Sequence, residues 1–408
     1  MKKLIFLVIP AFIYAQNLKS LIEYAQLNNE IVVSSSLNQE AQSKNVDSKK
    51  SAYLPVIDVG AYYQRLDDRT PIMAGDVYSG YAKIGFDIYD GGRKSSLLEQ
   101  AKNEYKSSKY DTDEMKKSLA LEITEDFYTV KSLDASLRAK EDASKSLKEQ
   151  LSRIKKYFEA RLATKDDVDR LQSAYDTNIY EIKSLELQKL TTLKSLELKV
   201  GKKIDTLDDS SFKEIMQEDL QPSDAINSLI SKESALMSSA ESIDSAYYPQ
   251  IKLEDSYNLY GYGRSDAMHP EGLDNQNKIL LSANIRLFDF GTLKEAKQAM
   301  IISAKALNSQ VLYKTKEQKM HHEVALARLD TSKIKIQSAK SALIASESAF
   351  ETIEKKYNAG IVDYVIYLDA LTSKTRADAL YETSLNELEI AYAMYYYYSG
   401  KNLAEYIK

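Results

Sequence analysis

The sequence predicts a mixed, mostly α fold built twice, with long coiled-coil helices carried on a few β-strands. Three observations lead there. Residues 93 to 200 contain neither Gly nor Pro, and neither do residues 292 to 359. Each run follows a turn cluster, Asp90-Gly91-Gly92 or Asp289-Phe290-Gly291, that closes a short alternating apolar segment. Arg161 and Gly360 are separated by the same interval as Asp90 and Asp289, so the two halves run in step, as a duplication would leave them.

Taken in order, the chain opens on Met1-Lys2-Lys3, an apolar run from Leu4 to Ile13, and Ala15. That is the pattern of a signal peptide over residues 1–15, and the run is too short to span a bilayer as a helix. Residue 16 is Gln rather than Cys, which excludes a lipid anchor there. The first repeat is expected over 16–210. It begins with one or two helices between 17 and 52, with Asn28 and Asn29 as the break. Pro55 then opens an extended segment. In the strand expected over 55–66, Ile57, Val59, Ala61 and Tyr63 alternate with Asp58, Gly60, Tyr62 and Gln64. A second strand is expected over 78–89. Its apolar face is Ala82, Ile84, Phe86 and Ile88, and its polar face holds Lys83, Gly85 and Asp87.

A helical hairpin is expected over 93–200. Its residues favour helix, and the apolar positions Ile123, Phe127, Val130, Leu147, Leu151, Ile154 and Phe158 make a narrow seam three and four apart. A helix from 93 to about 157 is on the order of 100 Å long at 1.5 Å per residue. A rod of that length has to cross a distance. Thr164 and Asp167 have capping-box spacing, so the return helix starts there.

The second repeat, expected over 211–408, retraces this course. A pair of shorter helices is expected between Pro222 and Tyr248. Ser51-Ala52-Tyr53-Leu54-Pro55 returns as Ser245-Ala246-Tyr247-Tyr248-Pro249. Strands are expected over 250–260 and 278–288. In the latter, Ile279, Leu281, Ala283, Ile285 and Leu287 oppose Ser282, Asn284 and Arg286. A hairpin over 292–399 turns at Gly360, a residue suited to a left-handed position, with Asp363 as N-cap.

Composition narrows the function. The formal net charge is −5, and nothing in it suggests a nucleic-acid partner. There is no Cys, which excludes disulfides, thiolate nucleophiles and Cys-based metal sites. No Gly-rich phosphate loop and no coherent Ser/His/Asp set is present, so no enzyme and no cofactor are expected. The 30 Tyr residues and absent Trp fit wet interfaces. Each strand has the length that crosses an outer membrane at a tilt. Lipid does not tolerate open sheet edges, so four strands need completion by others. Three chains would supply twelve strands, an even number that closes a barrel, and twelve helices able to surround a tunnel. Lys83, Asp87, Asn284 and Arg286 are then expected to face the barrel lumen.

The order, duplication and spacing of these motifs resemble the TolC-type outer-membrane efflux proteins. The resemblance rests on the Tyr-Leu-Pro and Tyr-Tyr-Pro lead-ins, and on Tyr89-Asp90-Gly91-Gly92 and Phe288-Asp289-Phe290-Gly291. It rests also on the turns Phe158-Glu159-Ala160-Arg161-Leu162-Ala163-Thr164 and Tyr357-Asn358-Ala359-Gly360-Ile361-Val362-Asp363. It covers essentially the whole mature chain. It implies a homotrimer with a twelve-stranded barrel in the outer membrane and a long α-helical barrel in the periplasm. A mixed equatorial belt would come from the segment between repeats and the C-terminal end. It further implies a passive, non-enzymatic exit duct of a tripartite efflux pump, docked tip-to-tip on a periplasmic adaptor and energised by an inner-membrane transporter. The exit channel of type I protein secretion is an alternative within the family, and a trimeric coiled-coil surface protein is one outside it.

The resemblance also singles out residues. In the family the return helix after the second turn carries two acidic residues that narrow the periplasmic mouth. Asp369 matches one, and Ile366 stands at the other position, so a single carboxylate ring with a hydrophobic constriction is the alternative. The family's first tip turn has Gly where Arg161 stands, so a differently shaped turn is expected here. Arg161, Leu162, Ala163, Thr164, Gly360, Ile361 and Val362 expose apolar groups at a rod end, which suggests docking. Asp166 and Asp167 are candidate tip contacts for the adaptor, or charges that suit a helix N-terminus. His321-His322 is expected on the surface without a metal, because neighbours on a helix diverge. His269 falls in an expected external loop. Tyr392 to Tyr398 is expected to pack the last helix against its neighbours.

Overall fold

The computed structural model describes residues 17–67, 74–214, 220–263 and 273–408. The expected signal peptide and His269 lie outside the described residues. The elements are α1 (Leu18–Asn28), α2 (Glu30–Ser51), β1 (Val56–Arg65), β2 (Asp76–Asp90), α3 (Arg93–Glu159), α4 (Lys165–Val200), α5 (Asp224–Asp244), β3 (Gln250–Gly263), β4 (Asn275–Asn284), α6 (Thr292–Asn358) and α7 (Tyr364–Tyr398). The fold class is the one expected: mostly helical, duplicated, with one four-stranded sheet. The described residues divide into two compact units, one of 17–35, 112–214, 220–224 and 315–408, the other of 36–67, 74–111, 225–263 and 273–314.

The second unit holds the sheet, in the order β1-β2-β3-β4 with every pair antiparallel. Asp90, the last residue of β2, and Asp289, five residues past β4, cap the long helices in the same way. Asp90 accepts from the N–H groups of Gly92 and Lys94 at 3.2 and 2.9 Å, and Asp289 from those of Gly291 and Leu293 at 3.0 Å each. A carboxylate there satisfies orphan N–H donors and meets the positive end of the helix dipole.

The first unit holds two apolar clusters. One gathers Leu18, Leu21 and Ile22 of α1, Ile123, Phe127 and Tyr128 of α3, Leu196 of α4, Tyr392, Tyr395 and Tyr396 of α7, and Leu403 and Ile407 near the C-terminus. Residues between α4 and α5 join it: Phe212 bridges to Ile407, and the Tyr396 hydroxyl donates to Lys213 O at 2.9 Å. Burying each large apolar side chain contributes about 1.5–3 kcal/mol, so this cluster anchors the unit. The other cluster lies near the hairpin turns and is described with them.

Several expectations are corrected. Asn29 does break the first helix: its side chain accepts from Ile31 N at 2.9 Å and donates to Lys199 O at 2.8 Å. The expected pair of helices before the second strand pair is instead one helix, α5, followed by a single 3₁₀ turn at Ser245–Tyr247. No Asn-Asn pair interrupts it. β2 begins two residues earlier than expected, and β4 spans Asn275–Asn284 rather than 278–288. Gln250, the first residue of β3, pairs with Asn284, so Ile285 and Leu287 alternate without a strand to pair with among the described residues. His321 and His322 are not free surface residues; their rings lie on Tyr398 and Tyr395, with centroids 4.8 and 5.3 Å apart.

Candidate functional site

Two regions carry the features expected to matter, one in each unit. In the sheet, register fixes two chemically different faces. Ile57, Ile84 and Ile279 share one side with Phe86, Leu253 and Leu281, and with Val59, Ala82 and Tyr257. This side is exposed: Val59 is 82% accessible, Ile57 71%, Ile279 70%. The opposite side carries Asp58, Lys83 and Ser256 in one row and Asp87, Lys252 and Ser282 in another. Its charges are paired: Lys83 with Asp58 at 3.7 Å, Asp87 with Lys94 at 3.0 Å. Gly60 faces Tyr81 across the ladder, and a Cβ there would stand 2.6 Å from the phenol, so the ring covers bare backbone. Tyrosines gather toward the far ends of the strands, where Tyr63 and Tyr78 lie 5.0 Å apart and Tyr260 stacks near Tyr262.

In the first unit, both helical hairpins turn with the same backbone bonds. Arg161 N donates to Phe158 O and Leu162 N to Tyr157 O, at 2.9 and 2.7 Å. Gly360 N donates to Tyr357 O and Ile361 N to Lys356 O, at 3.1 and 2.9 Å. Arg161 adopts φ 61° and Gly360 φ 72°. The expected difference in turn shape is therefore corrected: Arg161 accepts the left-handed conformation that Gly360 adopts without strain. Arg161→Gly should raise unfolding stability by about 0.5–1 kcal/mol, since relief of about 1–2 kcal/mol is partly offset by the freer unfolded chain. Denaturant unfolding of the detergent-solubilised protein checks this.

The return helices are firmly capped. Thr164 and Asp167 form a reciprocal capping box, and Asp363 accepts from Val365 N and Ile366 N at 3.0 and 3.1 Å. Behind the turns, Leu147, Leu151 and Ile154 of α3, Leu171 of α4, Phe350 of α6, and Tyr367 and Leu371 of α7 form one cluster. Arg153 ties the hairpins, lying 5.3 Å from the Tyr357 ring centroid and donating to Asn358 Oδ1 at 2.6 Å. Burial pushes the Tyr367 phenol up to about 12, so it stays neutral.

The expected site residues divide accordingly. Leu162 and Ile361 are strongly exposed, with Arg161, Thr164 and Gly360, while Ala163 and Val362 are half-buried. Ile366 and Asp369 are exposed three residues apart on α7, on one face, while Tyr367 and Leu371 point into the cluster. Lys83, Asp87 and Asn284 share the polar side of the sheet. Arg286 lies beyond β4, where strand alternation no longer sets its direction.

Two residues were missed. Asp255 sits on the apolar side between Ile84 and Ile279, and its Oδ1 is buried without a hydrogen-bond partner among the described residues. Its parity along β3 could have found it. Phe290 has φ 57° and is 91% accessible. A cavity of about 800 Å³ beside α3, α4 and α7 also has charged walls, where Lys131 pairs with Asp209 and Lys189 with Asp134. Glu389 there accepts from Phe212 N at 2.6 Å, and burial holds its carboxyl above the usual range.

The sequence profile of the family described as "Outer membrane efflux protein" matches residues 21–202 and again 216–397. The outer membrane protein TolC of Vibrio cholerae is 22% identical over 432 residues, covering 97% of this chain and 95% of that protein. Among solved structures, the CmeC outer membrane channel of Campylobacter jejuni is similar with a TM-score of 0.85 at 15% identity, covering 95% of this chain and 86% of that one. A membrane protein from Pseudomonas aeruginosa is similar with a TM-score of 0.81 at 18% identity, covering 94% and 93%.

Proposed function

Because the chain belongs to the outer membrane efflux protein family, we propose that three copies build one exit duct of a tripartite efflux pump. It conducts small toxic molecules passively across the outer membrane. The observation that carries the reading is the two-faced sheet: one exposed apolar side, one polar side, and two open edges, β1 and β4. An apolar face of this kind is stable against lipid, while the polar face, carrying Lys83, Asp87 and Asn284, suits a water-filled lumen, which Arg286 joins from beyond β4. Open edges are not stable in lipid, and closure by two further copies removes them. Exposed apolar residues on the helices of the first unit, Leu187 and Leu198 of α4 and Ile334 and Ile344 of α6, support the same assembly.

The paired turns serve as the docking tip for a periplasmic adaptor, with Arg161, Leu162, Ala163 and Thr164 from one hairpin and Gly360, Ile361 and Val362 from the other. An inner-membrane transporter supplies the energy. Ile366 and Asp369 form the constriction, a hydrophobic ring beside a ring of three carboxylates that favours cations.

Detergent-extracted protein should have the mass of three chains, and a homogeneous single-chain mass would end the shared-barrel reading. Asp369→Ala should raise single-channel conductance in planar bilayers or weaken its cation preference. An unchanged channel would remove Asp369 from the constriction.

A further inference from the structure

We infer that the turn centred on Phe290 seats against the lead-in to β1 of a second copy of this chain, filling a seam that glycine keeps closed inside each copy. The inference rests on the trimeric reading above. Within one chain, β2 and β3 are neighbours, and the turn after β2 packs directly on the residues before β3. A Cβ placed on Gly91 would stand 2.3 Å from Ser245 O and 2.8 Å from Tyr248 Cβ. Ser245 is accordingly buried, at 2%. No side chain fits at Gly91.

The duplication supplies a second set of the same parts. Asp289 caps α6 as Asp90 caps α3, so Phe290 is the counterpart of Gly91, and both have positive φ. Ser51-Ala52-Tyr53-Leu54-Pro55 is the counterpart of Ser245-Ala246-Tyr247-Tyr248-Pro249. These second parts lie at the two open edges of the sheet, after β4 and before β1. Both are uncovered: Leu287, Phe288 and Phe290 on one edge, Ser51, Ala52, Tyr53 and Leu54 on the other. Antiparallel continuation of the sheet from β4 to β1 of another copy brings them together as Gly91 meets Ser245.

The seam between copies differs from the one inside each copy. Phe290 holds a left-handed backbone that only glycine adopts freely, and its ring stands where the internal seam has no space. Phe288 packs edge-on against it, with centroids 4.7 Å apart. The seam between copies is therefore wider, and the aromatic pair fills it against Tyr53 and Leu54.

The chain has no cysteine of its own, so crosslinking is clean. The full-length protein carrying Phe290→Cys with Leu54→Cys, or Phe290→Cys with Ala52→Cys, is treated in outer membranes with a short thiol-specific crosslinker. Two-chain and three-chain species should form with the pairs and not with either single variant. Absence of crosslinking by both pairs in protein that has the mass of three chains would overturn the seam while leaving the trimer standing. Modification of the cysteine at 290 by a lipid-soluble maleimide in that three-chain protein would place the ring against the bilayer and likewise overturn it. A single-chain mass would overturn the trimeric reading itself, and the seam with it. Phe290→Gly tests the filling role separately. It should lower the temperature at which the three-chain species dissociates, although it relieves the backbone, whereas a rise would mean that the ring fills nothing.

Discussion

Leu281→Arg should strip the protein from the outer membrane, while the same change at the adjacent Leu280 should be tolerated. Leu281 faces Leu253 across the ladder, in the row continued by Phe86. Leu280 faces Glu254, in the row continued by Gly85. A cation on the lipid side of a barrel costs about 2–4 kcal/mol near the bilayer midplane. Repeated in three chains, that cost is about 6–12 kcal/mol, comparable to the whole stability margin of most proteins. A cation on the lumen side costs little, and at 280 it gains a carboxylate neighbour in Glu254. Outer-membrane fractionation and the yield of three-chain species check the pair. Equal behaviour of the two variants would mean that the exposed apolar side does not meet lipid.

This contrast shows what the sequence made legible and what it did not. Alternation placed Ile279, Leu281 and Ala283 together on one side, and the register agrees. Period-two patterning is reliable where one face is largely apolar, because a one-residue slip would turn every side chain over. The same pattern misled at the end of β4. Ile285 and Leu287 continue the alternation, but a strand exists only where a partner does, and the ladder ends at the pair Gln250–Asn284. The Asp90 and Asp289 turns and the Thr164 cap were legible because each is a local hydrogen-bonding solution. Phe290 and Arg161 were not, because sequence preference assigns left-handed positions to glycine while the turn geometry can impose them on other residues. At the tip, spacing alone puts Ile366 and Asp369 on one face of a helix. That the face points away from the cluster became visible only through the complete burial of Tyr367.

Tyr367→Ala should be the most damaging single change at the tip, costing about 3–5 kcal/mol, as expected for a large aromatic removed from a packed site. The ring is fully buried, 4.8 Å from Tyr357 and 5.7 Å from Phe350, both of α6, and it shares its cluster with Leu151 of α3 and Leu171 of α4. It therefore joins both hairpins just behind the turns. Its loss also frees Tyr357, the ring under Arg153, and so weakens a second tie between the hairpins. Because α7 carries Ile366 and Asp369 on the opposite face, loosening its packed side should displace the proposed constriction. The expected result is a lower unfolding midpoint, faster proteolysis in the turns at 160–164 and 359–363, and higher single-channel conductance. Asp369→Ala separates the two causes, since it alters charge on an exposed face and should change conductance without moving the midpoint. If Tyr367→Ala lowered the midpoint and left conductance unchanged, the packing of α7 would not position the narrowest part of the channel, and Ile366 and Asp369 would lose their place in it.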